Sequence, residues 1–116
     1  MGLLDRLFYK NSLQQKVEKI KKDIKRVVAK YFSKDFDVLY YGAYDLDPKN
    51  LVYWICVDTD NEKQSLESNK ELRSELRQVL LDNNYPIEAV ERVFIGFESE
   101  ETVKRESGGD WHIHFQ

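Results

Sequence analysis

The strongest hydrophobic pattern in this chain lies within residues 12–33. Apolar side chains recur there at alternating steps of four and three residues, the spacing of one face of an α-helix. These side chains are Leu13, Val17, Ile20, Ile24, Val27 or Val28, and Tyr31. Ser12 and Gln15 match a capping box, in which each side chain bonds a free backbone N–H at the helix start. The pattern predicts a helix over residues 12–33, preceded by a short arm or one helical turn at residues 1–11.

Two-residue alternation predicts β-strands after this helix. Residues 36–44 have largely apolar and aromatic side chains on both faces, and residues 51–57 are apolar throughout, as expected of a central strand. A turn containing Pro48 separates the two runs and favours a β-hairpin. Shorter runs predict a third strand over residues 92–98 and a last strand over residues 111–115.

A second amphipathic helix is predicted between the two pairs of strands. Ser68 and Glu71 match another capping box, and the apolar stripe that follows has helical spacing. Its members are Leu72, Leu76, Val79 and Leu80. The polar residues 58–66 are expected to form a loop. Ser99 and Gly108 bracket a segment with acidic residues first and basic residues last, which allows a short helix before the last strand.

This order of elements, α-β-β-α-β-β, predicts the α+β class. Helices that flank hairpins indicate a two-layer sandwich, in which a mainly antiparallel four-stranded sheet carries two helices on one face. A chain of 116 residues has the usual size of one domain. We therefore expect a single domain over residues 1–116. It would consist of the arm at 1–11, a basic helix at 12–33 and an acidic β-β-α-β-β body at 35–116.

Charge separates along the chain more sharply than the net value of −3 suggests. Residues 10–34 contain nine Lys or Arg and two acidic residues, a local balance of +7. Residues 35–116 contain eight Lys or Arg and eighteen Asp or Glu, a balance of −10. Such asymmetry bears directly on the choice of partner, because opposite charges accelerate association and like charges oppose it.

The composition indicates a soluble, folded protein. The hydrophobic fraction of 41%, with 13% aromatic residues, excludes the disordered class. The longest uncharged apolar run, residues 51–57, is too short to cross a membrane, and Asp5 and Arg6 interrupt the apolar start where a signal peptide is uncharged. Cys56 is the only cysteine and has no internal disulfide partner. The expected compartment is the reducing cytoplasm.

His112 and His114 are the only histidines and the main candidates for metal chemistry. On the predicted last strand their rings would project from the same face, a spacing that suits a shared metal ion with a nearby carboxylate. This metal-dependent enzyme or metal-binding protein is one alternative. The chain carries no cofactor motif, and Cys56 lies in an apolar stretch where a thiol is unreactive. We therefore expect no cofactor, and a non-enzymatic role over an enzymatic one.

A nucleic-acid-binding domain is a second alternative, since the predicted first helix carries a row of cations. These are Lys16, Lys19, Lys22, Lys25, Arg26 and Lys30. The acidic body disfavours a polyanionic partner. Binding to a membrane surface through residues 1–34 is also disfavoured, because the sheet is expected to cover the apolar stripe of the helix.

The favoured expectation is a non-enzymatic, cytoplasmic protein-interaction module that docks on a basic partner. Carboxylates would mimic phosphate groups and aromatic side chains would anchor the contact, as in an inhibitor or immunity-type protein that masks a basic cleft. The candidate carboxylates are Asp58, Asp60, Glu62, Glu98, Glu100 and Glu101. The candidate anchors are Tyr41, Tyr44 and Trp111.

Overall fold

The computed structural model describes residues 2–116. Its elements are α1 (Leu3–Val28), β1 (Asp37–Tyr41), a 3₁₀ turn (Pro48–Asn50), β2 (Val52–Val57), α2 (Asp60–Glu67), α3 (Lys70–Asp82), β3 (Phe94–Ser99), α4 (Glu100–Ser107) and α5 (Trp111–His114). The arm expected at residues 1–11 begins with Met1, which lies outside the described residues.

The sheet has three strands in the order β1-β2-β3, and it is mixed. β1 pairs with β2 in antiparallel orientation, whereas β3 pairs with β2 in parallel orientation. The α+β class is confirmed. The predicted four-stranded, mainly antiparallel sheet with two helices on one face is wrong, because the described residues form three strands and five α-helices.

The segment predicted as the fourth strand, residues 111–115, instead forms the helical turn α5 and the residue after it. The Asp110 side chain accepts a hydrogen bond from the Ile113 N–H at 3.1 Å, which caps the start of this turn. A helix also places Trp111 and Phe115, four residues apart, on the same side. Their rings both reach the sheet, so the aromatic packing that suggested a strand is achieved by a helix.

Helix α2 occupies most of the expected polar loop at residues 58–66. Thr59 and Glu62 form a reciprocal capping box, with Oγ1 accepting the Glu62 N–H at 3.1 Å and Oε1 accepting the Thr59 N–H at 3.0 Å. Asn69 rather than Ser68 caps α3, since its side chain accepts the Leu72 N–H at 3.0 Å. The chain therefore passes through two helices between β2 and β3, which allows those strands to run parallel.

Helix α1 begins at Leu3 and ends at Val28, so the predicted span of residues 12–33 is wrong at both ends. Ser12 lies inside the helix. The predicted stripe is buried from Leu13 to Val28, whereas Tyr31 lies beyond the helix and is half-buried.

The hydrophobic core lies between this stripe, the apolar face of α3 and one face of the sheet. The strands contribute Val38, Tyr53, Ile55, Val57 and Phe97 to it. The fully buried Tyr53 donates its hydroxyl proton to the Val17 carbonyl of α1 at 2.6 Å. Burial raises the pKa of this phenol, so it stays a neutral donor.

Two glycines with positive φ offer a matched test of the turn after β1. Gly42 has φ 110° and Gly108 has φ 60°. A Cβ at Gly42 would lie 2.0 Å from the Asn50 carbonyl oxygen, whereas a Cβ at Gly108 would have no atom within 4 Å. We expect Gly108→Ala to lower the free energy of unfolding by about 1 kcal/mol. Gly42→Ala should lower it by more than about 3 kcal/mol, because strain and a backbone clash combine.

Urea unfolding followed by circular dichroism measures both changes. Equal losses in the two variants would show that the close approach of residues 42 and 50 is not a constraint on the fold.

Candidate functional site

The face of the sheet opposite α1 and α3 is the candidate site. Successive strand residues point to opposite faces, and the register places Leu39 beside Trp54 and Trp54 beside Gly96 on this face. The same face carries Asp37, Tyr41, Val52, Cys56, Phe94 and Glu98. It is therefore apolar and aromatic at one end of the strands and acidic at the other.

Helix α5 and the residue after it cover the middle of this face. The Phe115 ring stacks on Trp54 with a centroid distance of 4.7 Å and an interplanar angle of 21°. It also lies 6.2 Å from the Tyr41 ring and 5.8 Å from the Trp111 ring. Gly96 makes room for the rings of Phe94 and Trp54, since a Cβ there would lie 2.5 Å from Phe94 and 3.1 Å from Trp54.

Two open grooves remain beside α5, and they share Leu39 and Trp111. The acidic groove has a volume of about 500 Å³, and its polar lining comes from the start of β1, the end of β2 and the start of α4. The carboxylates in that lining are Asp35, Asp37, Asp58 and Glu100. The aromatic groove has a volume of about 410 Å³ and is lined mainly by Leu39, Tyr41, Trp111 and Phe115.

The carboxylates of the acidic groove are largely unneutralised. Asp35, Asp37 and Asp58 are exposed, and none of them forms an ion pair with any residue between 2 and 116. Glu100 accepts a hydrogen bond from the Trp111 indole at 2.9 Å and lies 3.8 Å from the Lys104 ammonium. The groove therefore combines uncompensated negative charge with an aromatic wall.

Cys56 lines this groove as a neutral thiol. Burial raises its pKa to about 12, and the neighbouring Asp37, Glu98 and Glu100 add to the effect. A thiol in this environment is a poor nucleophile, as the apolar sequence around it suggested.

Asp60 has a role within the fold, because it holds α2 to β3 and α4. Its carboxylate accepts hydrogen bonds from Ser99 Oγ at 2.5 Å, Thr102 Oγ1 at 2.6 Å and Arg105 Nη1 at 3.0 Å. These donors hold the pKa of Asp60 well below its usual range. The carboxylate therefore stays ionised at neutral pH and serves the fold.

Glu98 lies at the centre of a buried polar cluster. It is 2.9 Å from the Lys63 ammonium and 2.8 Å from His114 Nε2, and it accepts the Ser99 N–H at 2.9 Å. Burial opposes ionisation of Glu98, but these hydrogen bonds outweigh it and lower the pKa. The His114 contact fastens α5 to the sheet.

The other predicted partner-binding residues lie elsewhere. Glu62 caps α2 and pairs with Lys34 at 3.0 Å. Glu101 is exposed and accepts the Asp60 N–H at 2.9 Å. Tyr44 belongs to the α1 side of the sheet, where its hydroxyl donates to Gln14. Of the nine predicted residues, the structure brings together four, namely Tyr41, Asp58, Glu100 and Trp111.

The two histidines do not converge. The metal hypothesis assumed a strand, and that geometry is wrong because both residues lie on α5. His114 turns inward to Glu98, whereas the His112 ring contacts Gln116 at 3.1 Å. No three His, Cys, Asp or Glu side chains within residues 2–116 are gathered as a metal site.

Ser107, His114 and Glu98 form a hydrogen-bonded chain with the composition of a hydrolytic triad. Ser107 Oγ lies 2.9 Å from His114 Nδ1. Two features separate it from a catalytic site. Lys63 neutralises Glu98, and the N–H groups of the following turn, those of residues 109 and 110, already donate to the carbonyls of Val103 and Ser107. These amides are therefore not available to stabilise an oxyanion.

Four of the six cations proposed for nucleic-acid binding have partners within the chain. Lys16 donates to the Asn84 carbonyl, Lys19 pairs with Asp23 at 2.8 Å, and Lys30 pairs with Glu75 at 2.6 Å. Arg26 lies 3.7 Å from the Asp23 carboxylate. Lys22 and Lys25 point outward without an ion pair among the described residues.

Sequence reasoning missed Asp35, Asp37, Leu39 and Phe115 as site residues. The alternation of Asp37, Leu39 and Tyr41 along β1 placed them on one face and could have identified three residues of the grooves. Phe115 could not be found this way, since its position depends on α5.

Comparisons with protein-family models, curated proteins and solved structures found no match to this chain. No helix among residues 2–116 has both the length and the apolar character needed to cross a membrane.

Acid should weaken the contact between α2 and α4. Because the folded-state pKa of Asp60 is lowered, its ionised form stabilises the fold above the unfolded pKa of about 4, and this stabilisation is lost as the pH falls below that value. We expect Asp60→Asn to be less stable than the wild type at neutral pH and to lose less stability on acidification to about pH 3. Thermal unfolding across this range measures the difference, and Arg105→Gln should show a smaller effect of the same sign. An Asp60→Asn protein as acid-sensitive as the wild type would contradict this role.

Removing the Phe115 ring should loosen the cover over Trp54. We expect Phe115→Ala to lower the free energy of unfolding by about 1–2 kcal/mol and to shift tryptophan emission to longer wavelength, because the stacked ring is replaced by water. Ile113→Ala on the exposed side of α5 is the matched control and should change neither quantity. Unchanged emission in Phe115→Ala would show that the ring does not shield Trp54 in solution.

Proposed function

We propose that this chain is a non-enzymatic protein-interaction module that binds a basic partner in the acidic groove. The observation that carries the proposal is the set of three exposed carboxylates without ion pairs, Asp35, Asp37 and Asp58, around a groove with an aromatic wall. The carboxylates that hold the helices to the sheet are paired, as Asp60 and Glu98 are. Carboxylates left unpaired beside Trp111 instead favour an external cation.

The groove fits a lysine or arginine side chain of a protein surface. The apolar part of such a side chain can lie on Leu39 and Trp111 while its charged end approaches Asp37 or Asp58. Trp111 also offers an aromatic face for a cation. The adjoining aromatic groove, with Tyr41 and Phe115, gives room for an apolar neighbour of that side chain, so charge and apolar area lie next to each other as in protein interfaces.

An inhibitor or immunity-type protein is one form of such a module. A partner with a basic cleft, as in a nuclease, would present several cations to the groove at once. The neutral, unpaired thiol of Cys56 supports a reducing compartment, and we place the protein in the cytoplasm.

A triple substitution tests the groove directly. The variant combines Asp35→Asn, Asp37→Asn and Asp58→Asn. Its affinity for an arginine-rich peptide should fall by about tenfold at low salt, because three exposed charge contacts are lost. Titration followed by NMR measures both the affinity and the place of binding. The shifts in the wild type should centre on residues 35–39, 58 and 111.

The matched control removes three exposed carboxylates elsewhere, through Glu67→Gln, Glu88→Gln and Glu91→Gln. It has the same net charge as the groove variant, and we expect it to bind within about twofold of the wild type. Equal weakening in the two variants would show nonspecific attraction and contradict the proposal. In a pull-down from native lysate at low and high salt, recovery of nucleic acid instead of a basic protein would contradict it as well.

A further inference from the structure

The first turns of α1 extend beyond the body of the protein. All residues from Gly2 to Ser12 are exposed, and burial begins only at Leu13. This segment, about 15 Å of helix, carries four apolar side chains that we call the apolar quartet. They are Leu3, Leu4, Leu7 and Phe8, with exposed fractions of 74%, 68%, 49% and 69%.

The apolar quartet does not continue the buried stripe. At about 100° per residue, its mean direction is about 140° away from that of the stripe from Leu13 to Val28. The core lies under the stripe, so most of the chain is on the far side of the helix from the quartet. Tyr40 and Tyr44 reach round one flank of α1 to Gln14 and Glu18, beyond the turns that carry the quartet. An exposed apolar face of this kind marks a surface that an external partner can cover.

Four cations lie on the same outer side of α1, eighteen residues further along. They are Lys21, Lys22, Lys25 and Arg26, which we call the cationic quartet. Eighteen residues are five full turns, so each cation is aligned with one member of the apolar quartet at a distance of about 27 Å. Glu18 is the single acidic residue on this side of the helix.

The cationic quartet is largely free to act. Lys22 and Lys25 are exposed and form no ion pair with a described residue. Arg26 keeps 67% of its side chain exposed, although its guanidinium lies 3.7 Å from Asp23. Lys21 lies 5.8 Å from the centre of the Tyr40 ring. The acidic groove is on the other face of the sheet, so the two charged surfaces point in different directions.

We infer that the outer side of α1 docks on an anionic lipid bilayer. The apolar quartet enters the boundary between headgroups and acyl chains, and the cationic quartet contacts lipid phosphates and carboxylates. A bilayer surface is the partner that offers apolar volume and dense negative charge in one plane. The stripe from Leu13 to Val28 is covered by α3 and the sheet and is closed to a membrane, whereas the outer side is a second face of the helix.

Two other occupants fit the same surface less well. Nucleic acid offers phosphates but nothing for four exposed apolar side chains. A second copy of the chain would gain only a few hundred Å² per subunit from the apolar quartet, below the roughly 800 Å² per partner of a stable interface, and it would offer no negative charge to the cations.

Vesicle co-sedimentation tests the inference with two lipid compositions. The wild-type chain should bind phosphatidylcholine vesicles that contain about one-third phosphatidylserine at least about tenfold more tightly than pure phosphatidylcholine vesicles, and salt should weaken that binding. Failure to bind the anionic vesicles, or equal binding to both kinds, would overturn the inference.

Two variants separate the contributions of the two quartets. The first variant combines Lys22→Gln, Lys25→Gln and Arg26→Gln. Its affinity for the anionic vesicles should fall by about a hundredfold, because each cation contributes about fivefold. Leu4→Ser with Phe8→Ser should weaken it by at least about tenfold. Both sets lie on exposed helix surface, and circular dichroism with thermal unfolding checks that the variants remain folded.

Matched controls carry the same changes elsewhere. The control for charge removes three other exposed cations, through Lys70→Gln, Arg92→Gln and Lys104→Gln. The control for apolar contact removes two other exposed apolar side chains, through Ile87→Ser and Ile113→Ser. Both controls should keep at least half of the wild-type partition. Losses as large as those of the quartet variants would overturn the inference. Sedimentation equilibrium gives a further test. A concentration-dependent dimer that is abolished by Leu4→Ser with Phe8→Ser, in a variant that still binds vesicles, would also overturn the inference.

Discussion

The contact between α1 and one face of the sheet determines which surfaces of this protein stay open. Val17, Ile20 and Ile24 are fully buried there, and the Tyr53 hydroxyl ties the middle strand to the Val17 carbonyl. Burial of this stripe is the largest apolar contribution that a single element makes to the core, and it fixes the rotation of α1 about its axis. Once that rotation is set, the apolar quartet and the exposed cations Lys22, Lys25 and Arg26 face away from the sheet. The other face of the sheet is left to the C-terminal segment.

The C-terminal segment covers that face only in part, and this explains the division among the carboxylates. Where α2, α4 and α5 converge, the buried Glu98 needs partners, since an unpaired charge in the interior is costly. Glu98 therefore binds Lys63 and His114, and the half-exposed Asp60 beside it binds Arg105 and nearby hydroxyls. The carboxylates at the start of β1 and the end of β2 lie at the rim, where water satisfies them. They remain available for a partner because the fold does not require them to be paired.

Local periodicity was sufficient to predict the elements that bury a continuous stripe or face. The stripes of α1 and α3 and the alternation in β1 and β2 were visible in the sequence, because each depends on neighbours within a few positions. The parallel pairing of β3 was not, since it depends on the path of α2 and α3 between the strands. The segment Trp111–Phe115 satisfies both a strand and a helical pattern, and the Asp110 cap together with the contact of Phe115 with Trp54 favours the helix. The site was predictable to the same extent. Tyr41 and Trp111 could be chosen by residue type, whereas the internal pairing of Glu98 with Lys63 and of Asp60 with Arg105 joins residues 35 and 45 positions apart.

The separation of charge along the chain becomes a separation in space. The positive segment forms the outer helix, and internal acceptors such as Asp23 and Glu75 take up Lys19 and Lys30 on the flank that faces α3. What remains exposed on the outer side is Lys22, Lys25 and Arg26, while uncompensated carboxylates collect on the far face of the sheet. Since exposed charges more than about 10 Å apart are screened at physiological salt, the two surfaces act independently. A basic protein at the groove and an anionic surface at α1 would therefore not compete, and a chain of this size can hold both at once.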